Sequence, residues 1–201
     1  MGVPLRVALI GAHGTGKTTL LRALLDRLQS LQIRAVGLPE APREIIKRSN
    51  DPEFFRRGHN TVHRQMLILL VHLIQELGVG ADVDIVIGDR SLLDHWAYAR
   101  YLFSEELAST DTLHLYEEFI MQHCAGYDLL FLLPIEFDVV DDGTREKDGL
   151  FQREIEGYIL DLVSKYNLQV LPVVGSVETR LEVCLEAIQA RTSFAGWQNV
   201  R

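Results

Sequence analysis

Eight consecutive residues, Gly11, Ala12, His13, Gly14, Thr15, Gly16, Lys17 and Thr18, have the types and spacing needed to hold a polyphosphate. They fit GxxxxGK[ST], and each part has a physical reason. Small residues let backbone N–H groups turn inward around phosphate oxygens, and the start of a following helix adds partial positive charge. Lys17 reaches the β- and γ-phosphates, and Thr18 supplies a hydroxyl to Mg²⁺. Thr19 closes the same binding stretch. The chemistry is that of a nucleoside triphosphate with Mg²⁺. ATP is the default base and GTP the alternative, since no guanine-reading NKxD pattern occurs. His13 falls where only the backbone is needed, so its side chain reads as a bystander.

Six further places could carry chemistry. The apolar run before GDRSLLDHWAY delivers Asp89 and Arg90 to the edge on which the phosphate loop opens. There Asp89 can hold the Mg²⁺ shell and Arg90 can offset charge on a transferring phosphoryl group. The alternative is local: Asp89 caps the next helix and Arg90 pairs with Asp94 at i,i+4. Glu40 emerges after the second apolar run, where a carboxylate can take a proton from a substrate hydroxyl. Gln65 offers both amide groups to the edge of a planar base, or is a surface glutamine. The polar segment of about 136–153 has the makings of a lid, with Arg145, Lys147 and Arg153 as its cations and Gly143 and Gly149 as points of movement. Arg43, Lys47, Arg48, Arg56 and Arg57 form a basic cluster that reads as a solvated face or a hold on a substrate phosphate. His59 and His63 have a metal-pair spacing without a third ligand.

These residues need a scaffold that brings them to one edge. Apolar runs at Leu5–Ile10, Ile33–Leu38, Ile85–Gly88, Leu129–Leu133 and Gln169–Val174 alternate with amphipathic segments. Such alternation predicts an α/β fold, an open, mostly parallel five-stranded sheet with helices on both faces and ligands at the carboxyl ends of the strands. Val62, Met66, Leu69, Leu70, Leu73, Ile74 and Leu77 repeat at helical spacing and predict one long amphipathic helix. Leu92 to Phe103, Leu113 to Ile120, Glu154 to Tyr166 and Val177 to Arg191 read as further helices.

With 201 residues and 47% hydrophobic content the chain suits one domain, 1–201. Twenty basic against twenty-eight acidic residues, a net −8, oppose broad adhesion to nucleic acid or to an anionic membrane. Cys124 and Cys184 lack CxxC partners and suit a reducing, cytoplasmic setting. No run is long enough to span a bilayer. Apolar positions on the long helix and at Phe194 to Val200 leave an oligomer open.

Taken together, GAHGTGKT, GDRSLLDHWAY, DDGTR with Arg153, and the terminal VLPVVGSVETR resemble the P-loop kinases of small metabolites. Most similar is the group that includes the kinase domain of bacterial nicotinamide riboside kinase and related AAA-type NTP-binding proteins. Deoxynucleoside and thymidylate kinases are similar at greater distance. The resemblance implies phosphate binding by Gly11 to Thr18, charge and metal handling by Lys17, Thr18 and Asp89, and Glu40 or Asp89 as the acid nearest the acceptor. It implies Arg90, Arg145 and Arg153 as electrostatic clamps on a nucleoside-like substrate. The activity expected is Mg-ATP-dependent phosphoryl transfer to a hydroxyl, and the alternative is an NTP-binding regulatory switch.

Overall fold

The first strand shows how the chain separates its layers. In β1, Leu5–Ile10, side chains alternate: Val7 and Leu9 enter one apolar cluster while Ala8 and Ile10 enter another on the opposite side. The computed structural model describes residues 3–48, 62–80, 82–102, 110–136 and 149–199. The remaining elements are α1 (Lys17–Ser30), β2 (Ala35–Leu38), α2 (Ala41–Arg48), α3 (Val62–Leu77), β3 (Ile85–Asp89), α4 (Leu92–Leu102), α5 (Thr110–Cys124), β4 (Leu129–Leu132), α6 (Gly149–Lys165), β5 (Val170–Pro172) and α7 (Val177–Arg191). A 3-10 turn at Ala195–Asn199 follows.

The five strands form one parallel sheet in the order β2-β3-β1-β4-β5. Parallel neighbours need crossovers, and the helices provide them. Order reverses around β1, so the crevice for a ligand lies at the carboxyl end of that strand. Register fixes what meets there: Leu9 pairs with Asp89 and Ile10 with Leu132. The phosphate loop and the end of β3 therefore leave the sheet side by side.

Helices α1 and α7 cover one face through Leu20, Leu24, Leu28, Cys184 and Ile188, all essentially inaccessible. The other face carries Leu92, Leu93, Ile120, Ile155 and Ile159 from α4, α5 and α6, with Leu69 from α3. Cys124 and Cys184 are free and buried. Among the described residues no helix is long and apolar enough to cross a membrane.

Four elements differ from the sequence expectation. Strand β2 starts at Ala35, because Ile33 is used to plug the core beside Trp197. Strand β5 is only Val170–Pro172, and α6 begins five residues early at Gly149. The larger difference is α3. Met66, Leu70, Ile74 and Leu77 of its apolar stripe are 45–71% exposed, and the buried ridge is Gln65, Ile68, Leu69, His72 and Glu76, with Leu69 common to both. Polar residues can occupy that ridge because distant elements satisfy them. Glu76 Oε2 accepts from Arg6 Nη2 at 2.5 Å, and its Oε1 accepts from the Tyr127 hydroxyl and pairs with His72 at 3.0 Å. Residues 137–148, with Arg145 and Lys147, and residues 49–61, with Arg56, Arg57 and His59, lie outside the described residues, as do the side chains of Arg43, Lys47, Arg48 and His63.

Candidate functional site

The phosphate loop takes its shape from glycine. Gly11, Gly14 and Gly16 have φ of 144°, 76° and 92°, a region that side chains disfavour. At Gly11 a Cβ would also overlap the Leu133 carbonyl. Gly16 caps α1 without any side-chain acceptor, so the amides of the first helical turn are presented bare. That is the arrangement an anion requires.

Lys17 is 5% exposed and folds back on its own loop. Its Nζ donates to the carbonyls of Gly11 at 2.8 Å and Ala12 at 2.5 Å. Burial, and next the nearby Arg90 charge, bring its pKa down to about 8, against the pull of Asp94, Asp89 and Glu40. A polyphosphate would supply the counter-charge that the lysine lacks. Thr18 Oγ1 donates to Asp89 Oδ2 at 2.6 Å, which places a hydroxyl and a carboxylate oxygen together at the end of β3. Hard oxygen donors of this kind fit Mg²⁺, with phosphates and water filling its octahedron. Among the described residues no group of three or more His, Cys, Asp or Glu side chains could hold a metal unaided.

Arg90 has φ 115°, a strained conformation for a residue with a side chain. Its Nε donates to Glu40 Oε1 at 2.5 Å, and its guanidinium lies 4.8 Å from the Tyr98 ring centroid. The backbone strain aims the side chain across to β2, and the i,i+4 pairing with Asp94 does not form. Burial works against the Arg90 charge, yet Glu40, then Tyr98, Asp94 and Asp89, hold its pKa above the ordinary arginine value. One buried nitrogen, Nη1, has no hydrogen-bond partner. An orphaned donor beside a carboxylate is a place for an oxygen-bearing ligand.

Asp94 serves the loop. Its Oδ1 accepts from Gly11 N at 3.0 Å, and its Oδ2 accepts from Ser91 N at 2.8 Å and Ser91 Oγ at 3.0 Å. Ser91 Oγ in turn accepts from Leu93 N, so Ser91 and Asp94 cap α4, and Asp89 is released from the capping role the local reading gave it. Two more anchors hold the loop. Arg180 of α7, 3% exposed, donates from Nη1 to Thr15 O at 2.7 Å and pairs through Nη2 with Glu136, which also accepts from Gly175 N. Gln152 at the start of α6 donates to His13 O at 2.7 Å, and the Tyr98 hydroxyl meets both His13 N and Nδ1. His13 is thus 8% exposed and held on three atoms, in contrast to a bystander.

Gln65 is 5% exposed, not a surface residue, and makes no side-chain hydrogen bond among the described residues. It lies near the amino end of α3, the end away from the Glu76–Arg6 pair at the start of β1. Arg153 is exposed on the first turns of α6. Sequence reasoning gave Asp94 only a local pairing with Arg90 and assigned no hold on the loop to Tyr98, Gln152, Glu136 or Arg180. The Ser91-x-x-Asp94 capping box was a usable signal for the first. The others are single residues on helices or in a loop, and only the tertiary structure brings them to the loop.

Solved structures share this architecture. The NadR protein in complex with NR superposes at a TM-score of 0.69 with 20% identity, over 93% of this chain and 51% of that one. NadR in complex with NAD and AMP-PNP gives 0.65 at 17% identity, over 95% and 51%. Thymidylate kinase from Ehrlichia chaffeensis gives 0.64 at 14% identity, over 94% and 100%. The chain therefore spans about half the length of the NadR chains. No curated protein sequence matches it. The AAA domain family pattern covers residues 6–180, and with its phosphate loop, parallel sheet and flanking helices this chain belongs to the AAA domain family of P-loop proteins.

Proposed function

We propose that this protein is a Mg-ATP-dependent kinase that moves the γ-phosphoryl group to a hydroxyl of a nucleoside-like metabolite. The observation that carries the reading is the pairing of Glu40 with Arg90, a carboxylate and an arginine with an orphaned Nη1, on the sheet edge that also bears Lys17, Thr18 and Asp89. A loop that only held nucleotide would have no use for that second charged pair. NadR with NR and thymidylate kinase share the fold, which supports a small acceptor of this kind.

In this reading Lys17 and the amides of α1 hold the β- and γ-phosphates, and Thr18 and Asp89 would hold Mg²⁺, which would neutralise charge on the phosphate oxygens. Glu40 takes the proton from the acceptor hydroxyl as its oxygen bonds to the γ-phosphorus. The bond from that phosphorus to the bridging oxygen breaks, and ADP leaves with the electron pair. Arg90 steadies the transferring group or the acceptor, Gln65 reads the acceptor's edge, Arg145 descends with the lid, and Arg153 adds its charge from the first turns of α6. Positioning and electrostatics supply the rate.

The test mixes protein, Mg-ATP and a panel of nucleosides including nicotinamide riboside, and follows ADP release. One acceptor should raise turnover well above the rate with water alone. Glu40→Gln should lower that turnover about 100-fold while ATP affinity stays within a few-fold, since a general base acts on the chemical step. Tight ATP binding without acceptor stimulation across the panel would favour the regulatory switch.

A further inference from the structure

Between the loop that would hold ATP and the Arg90–Glu40 pair stands one aromatic residue that touches both. Tyr98 lies two turns along α4 from Arg90, and its ring faces the guanidinium at 4.8 Å. Its hydroxyl is 3.1 Å from His13 N and 3.2 Å from His13 Nδ1. The backbone amide can only donate, so the hydroxyl accepts from it, and toward Nδ1 it donates or accepts according to the imidazole tautomer. The ring edge rests on Phe151 at 5.9 Å, and Phe151 lies 5.0 Å from the His13 imidazole. Gln152, next along α6, fixes the His13 carbonyl. Burial pushes the Tyr98 hydroxyl above its ordinary pKa, against the nearby Arg90 charge.

We propose that Tyr98 is a positioning residue with two separable duties, its hydroxyl setting the phosphate loop through His13 and its ring supporting Arg90 for the acceptor. The inference rests on the kinase reading for its acceptor half and on nucleotide binding alone for its loop half. Among the described residues His13 is the one loop position held by outside side chains at both its N–H and its C=O, that is, on the two peptides that flank its Cα. Removing the hydroxyl leaves a buried amide and the imidazole without that partner, which frees the peptide to rotate and to turn its neighbours' amides off the phosphates. Removing the ring leaves Arg90 without the face that, with Glu40, holds it in its strained backbone conformation.

Two substitutions separate the duties. Tyr98→Phe keeps the ring and deletes the hydroxyl, and ATP affinity by calorimetry should fall about tenfold while the acceptor KM stays within twofold. Tyr98→Leu deletes both, and the acceptor KM should now rise about tenfold as well. Gln152→Leu releases the next peptide, on the other side of the His13 Cα, and should weaken ATP in the same direction, a check that does not depend on Tyr98→Leu folding. Unchanged ATP affinity in Tyr98→Phe would overturn the loop duty. An acceptor KM that rises equally in Tyr98→Phe and Tyr98→Leu would overturn the separation. If the wild type takes up no ATP, the kinase reading falls with this one. If it takes up ATP and Tyr98→Phe does so equally well, only this inference falls.

Discussion

The two sides of the sheet are made of different materials. Beneath α1 and α7 the packing is hydrocarbon, with Leu24, Leu28, Phe131 and Ile188 wholly inaccessible, and the buried charges Lys17 and Arg180 occur only where those helices reach the phosphate loop. Beneath α3, α4 and α6 the apolar cluster is interleaved with Gln65, His72, Glu76, Asp94, His95 and Gln152, each 8% exposed or less. Burying a polar group costs free energy unless it finds a partner, so a surface built this way is more expensive than its neighbour. The gain is positional. Asp94 and Gln152 of that side hold Gly11 and His13 directly. One side supplies stability, and the other converts part of its stability into a fixed loop.

The largest test of that contrast replaces one buried side chain on each side. Leu24→Ala should destabilise the protein by about 3 kcal/mol through lost burial and a cavity, and leave ATP affinity within twofold. Asp94→Ala should cost about as much, because Gly11 N, Ser91 N and Ser91 Oγ all lose their acceptor, and should also weaken ATP about 100-fold as Gly11 drifts. Urea denaturation and calorimetry on both variants read the two quantities. Equal losses of ATP affinity would erase the distinction between the sides.

The contrast also explains what could be read in advance. Helix α1 was legible from its leucines: Leu20, Leu21, Leu24, Leu25 and Leu28 repeat at helical spacing, and all but the half-buried Leu25 are buried against the sheet. Helix α3 has an equally clear apolar repeat, and periodicity located the helix without fixing which side is buried, since Leu69 of that repeat is inside and Met66, Leu70, Ile74 and Leu77 are not. A stripe of leucines shows that one side is apolar, whereas the buried side is decided by partners. His72 and Glu76 are inside because Arg6, Tyr127 and His95 come to meet them from other elements. The same limit governs the site. Lys17, Thr18 and Asp89 could be placed because a motif and a strand direction fix them locally. Tyr98 and Arg180 could not, since their roles are contacts across 85 and 165 residues of chain.

A smaller effect should appear with pH. His95 sits inside the polar side, with its Nε2 3.2 Å from His72 Nδ1. Burial first, then His72 and the Arg90 charge, push its pKa well below the ordinary value of 6.5. The unfolded chain therefore binds a proton below pH 6.5 that the folded chain refuses, and stability falls as pH drops through that point. The slope from this one group reaches about 1.4 kcal/mol per pH unit. Glu76 acts in a lower window: burial opposes its ionisation, but His72, Tyr127 and Arg6 outweigh it and hold its pKa below 4.5, so its contribution is lost only under stronger acid. Urea midpoints at pH 7.5 and 5.5 should separate by the His95 amount in the wild type, and His95→Gln should shrink that gap. A gap unchanged in His95→Gln would move the acid sensitivity elsewhere on this side.

The smallest effect belongs to the end of α1, where the hydrocarbon side meets the site. With its pKa near 8, Lys17 is mostly neutral at pH 9 while its amine rests on the carbonyls of Gly11 and Ala12. A triphosphate in the loop brings several negative charges to that nitrogen and favours its protonated form. ATP binding at pH 9 should therefore draw a proton from the buffer, and at pH 7, where Lys17 already carries its charge, it should draw almost none. Calorimetry in two buffers of different ionisation enthalpy counts that proton, with an expected uptake of roughly half or more per ATP at pH 9. Lys17→Arg keeps a positive charge that cannot be shed in this range, so its binding should show no buffer dependence at either pH. Uptake that persists in Lys17→Arg would assign the proton to another group and leave the lysine charged in the empty loop.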